Sequence, residues 1–250
     1  VLIFDTYREA RDYKRAAEAA AAAYRKFPGD RLVAENRALL LADLGQAEEA
    51  VAEAKKLFTS ENDSEAWLTL ARVYEKNKDY QGMGQALEAV EKLIDGDEAR
   101  ANLHFLRGAR FERLKEYDAA EQEFRRALAL EPDNPTVLNY LGYMLADRNV
   151  RLEEACQLIR RAVDMDPQNG AYLDSLGWVY FRMGKLDEAE MRLRQALTRA
   201  AHDPTVRDHL GDVLFAQGKL REAIVEWQAS LNEWEASLPS ERDASEIARV

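Results

Sequence analysis

Leu176 to Ala189 reads LGWVYFRMGKLDEA, and Leu210 to Ala223 reads LGDVLFAQGKLREA. The glycines Gly177 and Gly211 lie 34 positions apart (211 − 177), and so do the alanines Ala189 and Ala223 (223 − 189). A fixed spacing of this length marks one supersecondary unit written more than once. Upstream, Gly142 and Gly108 continue the series at 35 (177 − 142) and 34 (142 − 108), with Ala155 and Ala120 in step. In each unit an aromatic residue or leucine follows the glycine by three (Phe111, Leu145, Tyr180, Leu214), and an apolar residue follows the alanine by four (Phe124, Ile159, Leu193, Trp227). Both spacings fall on one face of a helix. Each unit therefore predicts two amphipathic helices, with a small residue on each where the two approach most closely.

Capping chemistry supports the same division. Asn134-Pro135 and Asp203-Pro204 put a capping side chain before a proline at the first helical position, where the missing N–H costs nothing. Gly45, Gly184 and Gly218 follow first helices, where a left-handed residue ends the helix. In ADRNVRLEEA one residue is added, and Asn149 is expected in the left-handed position.

The series resembles the tetratricopeptide repeat, a helix-turn-helix unit of about 34 residues that stacks into a solenoid. Gly108, Phe111, Ala120 and Pro132 carry the family's small residue, aromatic, alanine and proline in order. The resemblance implies an all-α, right-handed superhelical solenoid over residues 1–237. A truncated unit occupies 1–30 and full units occupy 31–63, 64–100, 101–134, 135–169, 170–203 and 204–237. Residues 238–250 form a tail. In unit 64–100, Trp67, Leu70, Ala71 and Tyr74 match, but Met83 replaces the expected alanine and QGMG precedes a looser second helix.

The 250 residues carry 35 Lys+Arg against 46 Asp+Glu, a formal net charge of −11, which would repel a phosphate backbone and argues against nucleic acid. The single cysteine, Cys156, cannot form an intrachain disulfide and reads as a packing residue. No apolar run of membrane-spanning length occurs. The opening VLIFDTYREA reads as part of a longer chain, and the apolar Val1, Leu2, Ile3 and Phe4 suggest further repeats before it, because an array normally ends in a polar cap. No catalytic or metal-ligating constellation accompanies His104, His202 and His209, and QGMG lacks the third glycine and the preceding strand of a nucleotide loop. The expectation is a protein that is not an enzyme and takes no cofactor or metal.

Within the family geometry, first helices line a groove. The residues facing it include Phe105, Glu112, Asn139, Tyr143, Asp174, Trp178, Phe181, Asp208, Asp212 and Phe215. Aromatic and acidic side chains alternate there, which suits an extended segment with apolar and basic side chains. Any one of the aromatics could instead pack on the next repeat, whereas the three aspartates should meet water, a partner's cation or a helix N-terminus. The pairs needed to hold a chaperone's C-terminal carboxylate are absent: Glu35/Leu39, Leu68/Arg72, Phe105/Ala109, Asn139/Tyr143, Asp174/Trp178 and Asp208/Asp212 do not fit. At the other end Trp227, Leu231, Trp234 and Leu238 extend an apolar stripe beyond the usual helix length. Two readings fit Trp234 and Leu238: cover by a capping helix folded from LPSERDASEIARV, or an end interface for self-association or a partner.

The segment LNYLGYMLADRNVRLEEACQLIRRAVDMDPQNGAYLDSLGWVYFRMGKLDEAE is similar to the C-terminal repeats of bacterial outer-membrane tetratricopeptide lipoproteins that act as adaptors of a periplasmic carboxy-terminal processing protease. That resemblance implies a periplasmic scaffold, anchored at the outer membrane in the full-length protein, whose partners are the protease and cell-wall hydrolases. The alternatives are a regulatory or targeting region of a larger enzyme and a cytoplasmic assembly module.

Overall fold

The computed structural model describes residues 6–7, 12–242 and 244–250; Val1, Leu2, Ile3 and Phe4 lie outside them. The fold is an all-α solenoid of helix pairs. In chain order the helices are α1 (Tyr13–Lys26), α2 (Arg31–Asp43), α3 (Ala47–Lys55), α4 (Ser64–Lys76), α5 (Tyr80–Glu91), α6 (Asp97–Arg113) and α7 (Tyr117–Leu130). They continue as α8 (Pro135–Asp147), α9 (Leu152–Met165), α10 (Gly170–Arg182), α11 (Leu186–Leu197), α12 (Pro204–Ala216), α13 (Leu220–Ala236) and the short α14 (Ala244–Arg249). None of them, among the described residues, is long and apolar enough to cross a membrane. The chain forms two compact units, one of residues 1–99 with 238–242, the other of residues 100–237 with 243–250.

The helices begin where side chains can satisfy free backbone donors. Asn134 accepts from Val137 N at 3.2 Å, and Asp203 from Thr205 N at 2.9 Å, each before its proline. Asp63 accepts from Ala66 N at 3.0 Å and also receives two donors from Arg31, at 2.8 and 2.9 Å, which hold its carboxyl well below the usual carboxylate range. Each such cap stabilises its helix by about 1 kcal/mol.

The turn inside each pair uses one left-handed residue. Gly45, Gly184 and Gly218 have φ of 77°, 75° and 78°, and Asn149 has φ 55°. Lys78 (φ 58°) and Lys115 (φ 61°) take the same place in their units, although nothing in their residue type announces it. The next backbone N–H then reaches back over the turn: Glu116 N donates to Phe111 O at 2.9 Å, Val150 N to Leu145 O at 3.0 Å and Lys185 N to Tyr180 O at 2.9 Å. Arg151 (φ 47°) adds a second left-handed residue beside Asn149, absorbing the inserted position.

The repeated glycines mark the closest approach within each pair of the second unit. A Cβ added to Gly108 would lie 2.6 Å from Phe124, one on Gly142 2.6 Å from Ile159, one on Gly177 2.6 Å from Leu193 and one on Gly211 2.4 Å from Trp227. These are the residues four past each alanine. Ala120, Ala155, Ala189 and Ala223 are fully buried, as are Phe124, Ile159 and Leu193, while Trp227 is half-buried, and Cys156 fills part of the same core.

In the first unit the expected looseness of α5 is corrected. Met83 is fully buried, and the close approach is made one residue earlier, where a Cβ on Gly82 would meet the Tyr74 ring at 2.8 Å. A glycine therefore does the work of the missing alanine and leaves room for the methionine. Residues 238–242 pack on this unit: Pro239 lies against Gly45, Ser240 Oγ donates to Asp43 Oδ1 at 2.9 Å, and Lys78 Nζ donates to the Arg242 carbonyl at 2.5 Å. Trp234 and Leu238 are buried, at 7% and 3% exposure.

Candidate functional site

The first helices α8, α10 and α12 carry equivalent positions three times: Asn139, Asp174 and Asp208 at one level, Tyr143, Trp178 and Asp212 four residues on. Successive repeats bring these positions together through a residue that the groove pattern does not include. His209, fully buried, presents Nδ1 to Asp174 Oδ1 at 2.9 Å. Its ring stacks on Trp178 with centroids 4.0 Å apart and planes 16° apart, and lies 6.2 Å from Tyr143. Phe181 joins through Trp178 at 5.1 Å.

Trp178, at 4% exposure, is thus a packing residue that contributes an edge to the site rather than an open ring. Phe215 is the opposite case: it is 57% exposed and leans on Trp227 at 5.6 Å. Tyr143, Phe181 and Phe105 are half-buried. Phe105 belongs to a separate group with Phe124 and Tyr140, at 6.1 and 5.0 Å.

Of the three environments expected for the aspartates, water, a partner's cation or a helix N-terminus, two of the three residues take none and instead pair with side chains of the same chain. Asp174 and Asp208 are buried, and each has a cationic or titratable partner, His209 for the first and Arg249 for the second. Asp212 is half-buried; it accepts from Trp227 Nε1 at 3.3 Å and from Arg249 Nη1 at 2.7 Å. The guanidinium of Arg249 also lies 5.9 Å from the centre of the Trp178 ring.

Burial lowers the His209 imidazole, but the charge and hydrogen bond of Asp174, with Asp212 and Asp203 beyond, raise it further, and the net shift is upward. Burial pushes the Asp212 carboxyl up, against the pull of His209 and the Trp227 N–H. Burial and the charge of Asp174 likewise push Asp203 up. Burial thus favours the neutral form of these carboxyls, and a cation held against them favours the charged form. Among the described residues no group of three or more His, Cys, Asp or Glu could hold a metal ion.

The pairing of His209 with Asp174 was the part of the site least visible in the sequence. A histidine between Asp208 and the apolar Leu210 was the available signal, since a polar side chain on a packing face needs a partner. The first unit has its own cleft, of about 510 Å³, lined by Phe58, Trp67 and Tyr74 among others, with Phe58 and Trp67 edge to face at 4.7 Å.

A family model described as tetratricopeptide repeat matches residues 1–63, 81–135, 105–170 and 175–233, and the chain belongs to that family. It is 36% identical over 149 residues to TPR repeat-containing protein PA4667 of Pseudomonas aeruginosa; the match takes in 59% of this chain and only 25% of that protein. Among solved structures, the Cut9-Hcn1 hetero-tetramer of APC/C covers 98% of this chain and 47% of its own at a TM-score of 0.73 and 16% identity. Pseudomonas aeruginosa pilF covers 69% of this chain and 80% of its own at 0.57 and 22%. At these identities the structural likeness establishes the fold alone. The family is typically a non-catalytic interaction module whose members bind other proteins.

Proposed function

We propose that this chain is a non-catalytic scaffold that binds a segment of another protein along the first-helix positions of α8, α10 and α12. The observation that supports the reading is the exposed Phe215, which leans on Trp227 at 5.6 Å, on the same helix as the acidic pair Asp208 and Asp212, the latter accepting from Trp227 Nε1. An apolar anchor beside a carboxylate pair suits a segment with one apolar and one basic side chain, the ring supplying buried area and the charges supplying orientation and selectivity. We further infer, from the resemblance of residues 138–190 to envelope lipoprotein repeats, a place in the bacterial periplasm within a longer protein anchored at the outer membrane. Its partners there would be a carboxy-terminal processing protease and cell-wall hydrolases.

The test is capture from a bacterial envelope extract by the parent chain and by Phe215→Ala/Asp212→Asn, with bound proteins identified by mass spectrometry. A protease or cell-wall hydrolase retained by the parent and lost from the variant, whose circular dichroism is unchanged, supports both the site and the compartment. Equal retention by both chains refutes the site. Capture of cytoplasmic proteins by the parent alone refutes the compartment and keeps the site.

A further inference from the structure

The aspartates of α12 already hold a cation from the same chain. Arg249, on the short helix α14, donates from Nη1 to Asp212 Oδ2 at 2.7 Å and from Nη2 to Asp208 Oδ2. The two nitrogens of one planar group meet carboxylates from two positions four residues apart, with the Trp178 ring alongside at 5.9 Å. This is guanidinium geometry: a lysine ammonium, a single point of charge on a flexible stem, cannot reproduce two separated donors and a flat face in one pose.

Asp208 is only 2% exposed. A carboxylate as dry as this is costly without a counter-charge, so the pocket is built to be filled. A second observation points to a ligand longer than one side chain. Asn139 and Trp178, at equivalent groove levels on α8 and α10, are more than nine-tenths buried, and Asn139 Oδ1 and Trp178 Nε1 have no hydrogen-bond partner among the described residues. One donor is thus left over on the Trp178 ring that flanks the Arg249 guanidinium, and one acceptor at the equivalent repeat position level with Asp208 on α8, the two polar complements that the amide of an extended segment carries.

We propose that Asp208, Asp212 and Trp178 form an arginine-reading pocket whose resident is the chain's own Arg249, and that a partner docks by an arginine next to an apolar residue, displacing residues 244–249. The proposal rests on the groove reading given above. The internal segment acts as a competitor: it keeps the dry carboxylates paired when no partner is bound, and it raises the concentration of partner needed to occupy the groove. A partner lacking arginine must leave Asp208 uncompensated, which is how the site selects.

The probe is a fluorophore-labelled peptide of residues 243–250, DASEIARV, titrated by anisotropy against the parent chain, Arg249→Ala, and Arg249→Ala carrying Asp208→Asn/Asp212→Asn. The Arg249→Ala chain should bind it about tenfold or more tightly than the parent, in which the pocket is taken. Replacing the peptide's arginine by lysine or alanine, or adding the two asparagines to the chain, should remove that gain. Equal affinity for the arginine and alanine peptides, or no binding at millimolar peptide, overturns the arginine pocket. Equal affinity of parent and Arg249→Ala overturns the internal resident. Amide exchange of residues 244–249 gives a readout independent of the peptide: protection in the parent should fall in Asp212→Asn, and unchanged protection contradicts the seat. If these fail while Phe215→Ala/Asp212→Asn still loses its captured partner, the groove reading stands and only the arginine proposal falls.

Discussion

Gly142→Ala adds one methyl group where α8 meets α9. Built on the backbone, that carbon lies 2.6 Å from Ile159 Cγ1, 3.2 Å from Ile159 Cδ1 and 3.0 Å from the carbonyl oxygen of Ala155. Ile159 is fully buried, and its branched Cβ leaves it little choice of rotamer. The Ala155 carbonyl is part of the facing helix, so relief requires moving that helix. Overpacking of this kind costs about 1–3 kcal/mol, and the better helix propensity of alanine returns about 1 kcal/mol. The expected net loss is about 0–2 kcal/mol, read from urea unfolding followed by far-ultraviolet circular dichroism. The decisive comparison adds Ile159→Ala, which alone should cost about 2–5 kcal/mol through the cavity it leaves. In the double variant the new methyl group enters that cavity, and the combined loss should be smaller than the sum by about 1 kcal/mol or more. Additive losses, or a gain in stability from Gly142→Ala alone, would refute the claim that the glycine series marks closest helix approach.

Lys115→Gly should stabilise the chain by about 0.5–1 kcal/mol, because Lys115 holds φ 61° with an exposed side chain and a left-handed residue with a Cβ is strained; thermal unfolding checks it. For His209 the folded value lies above the ordinary 6.5, since the raising effect of Asp174 and its neighbours exceeds the lowering effect of burial. Its contribution to stability is therefore complete below about pH 6.5 and lost as pH rises through the folded value, and Asp174→Asn should flatten that alkaline slope in urea titrations between about pH 5 and 9. Glu190 shows the opposite sign. Burial raises it, but Lys219 at 2.7 Å and Arg194 at 2.8 Å pull it down to about 2, so its contribution is complete above 4.5 and lost as pH falls toward 2. Glu190→Gln should remove part of the acid limb of the same titration.

The features legible in the sequence are those built from neighbours within one repeat. Gly142 and Ile159, or Gly177 and Leu193, belong to consecutive helices of one pair, so the periodic spacing that names them also places them together. The caps at Asn134 and Asp203 are local in the same way. Two kinds of feature escaped. Where two residue types can fill one role, the pattern misleads: Gly82 makes the approach expected of an alanine at Met83, and Lys78 and Lys115 occupy turns elsewhere filled by glycine. Where contacts join different repeats, side-chain direction decides. The positions Asn139 to Phe215 could be set out along the groove, yet which of them are open depended on His209 stacking on Trp178 from the following repeat. Arg249 reaches Asp208 from 41 positions away and follows no period.

The most direct test of the groove as the working surface is site-specific photo-crosslinking in cells that produce the protein, with a benzophenone side chain placed at Phe215 on α12 or, as the comparison, at Ile224 on α13. Both positions are exposed, at 57% and 62%, so accessibility does not separate them. A discrete adduct with another protein formed from position 215 and absent from 224 is the result expected of a first-helix groove. Adducts from 224 alone would place the partner on the second helices and contradict the account.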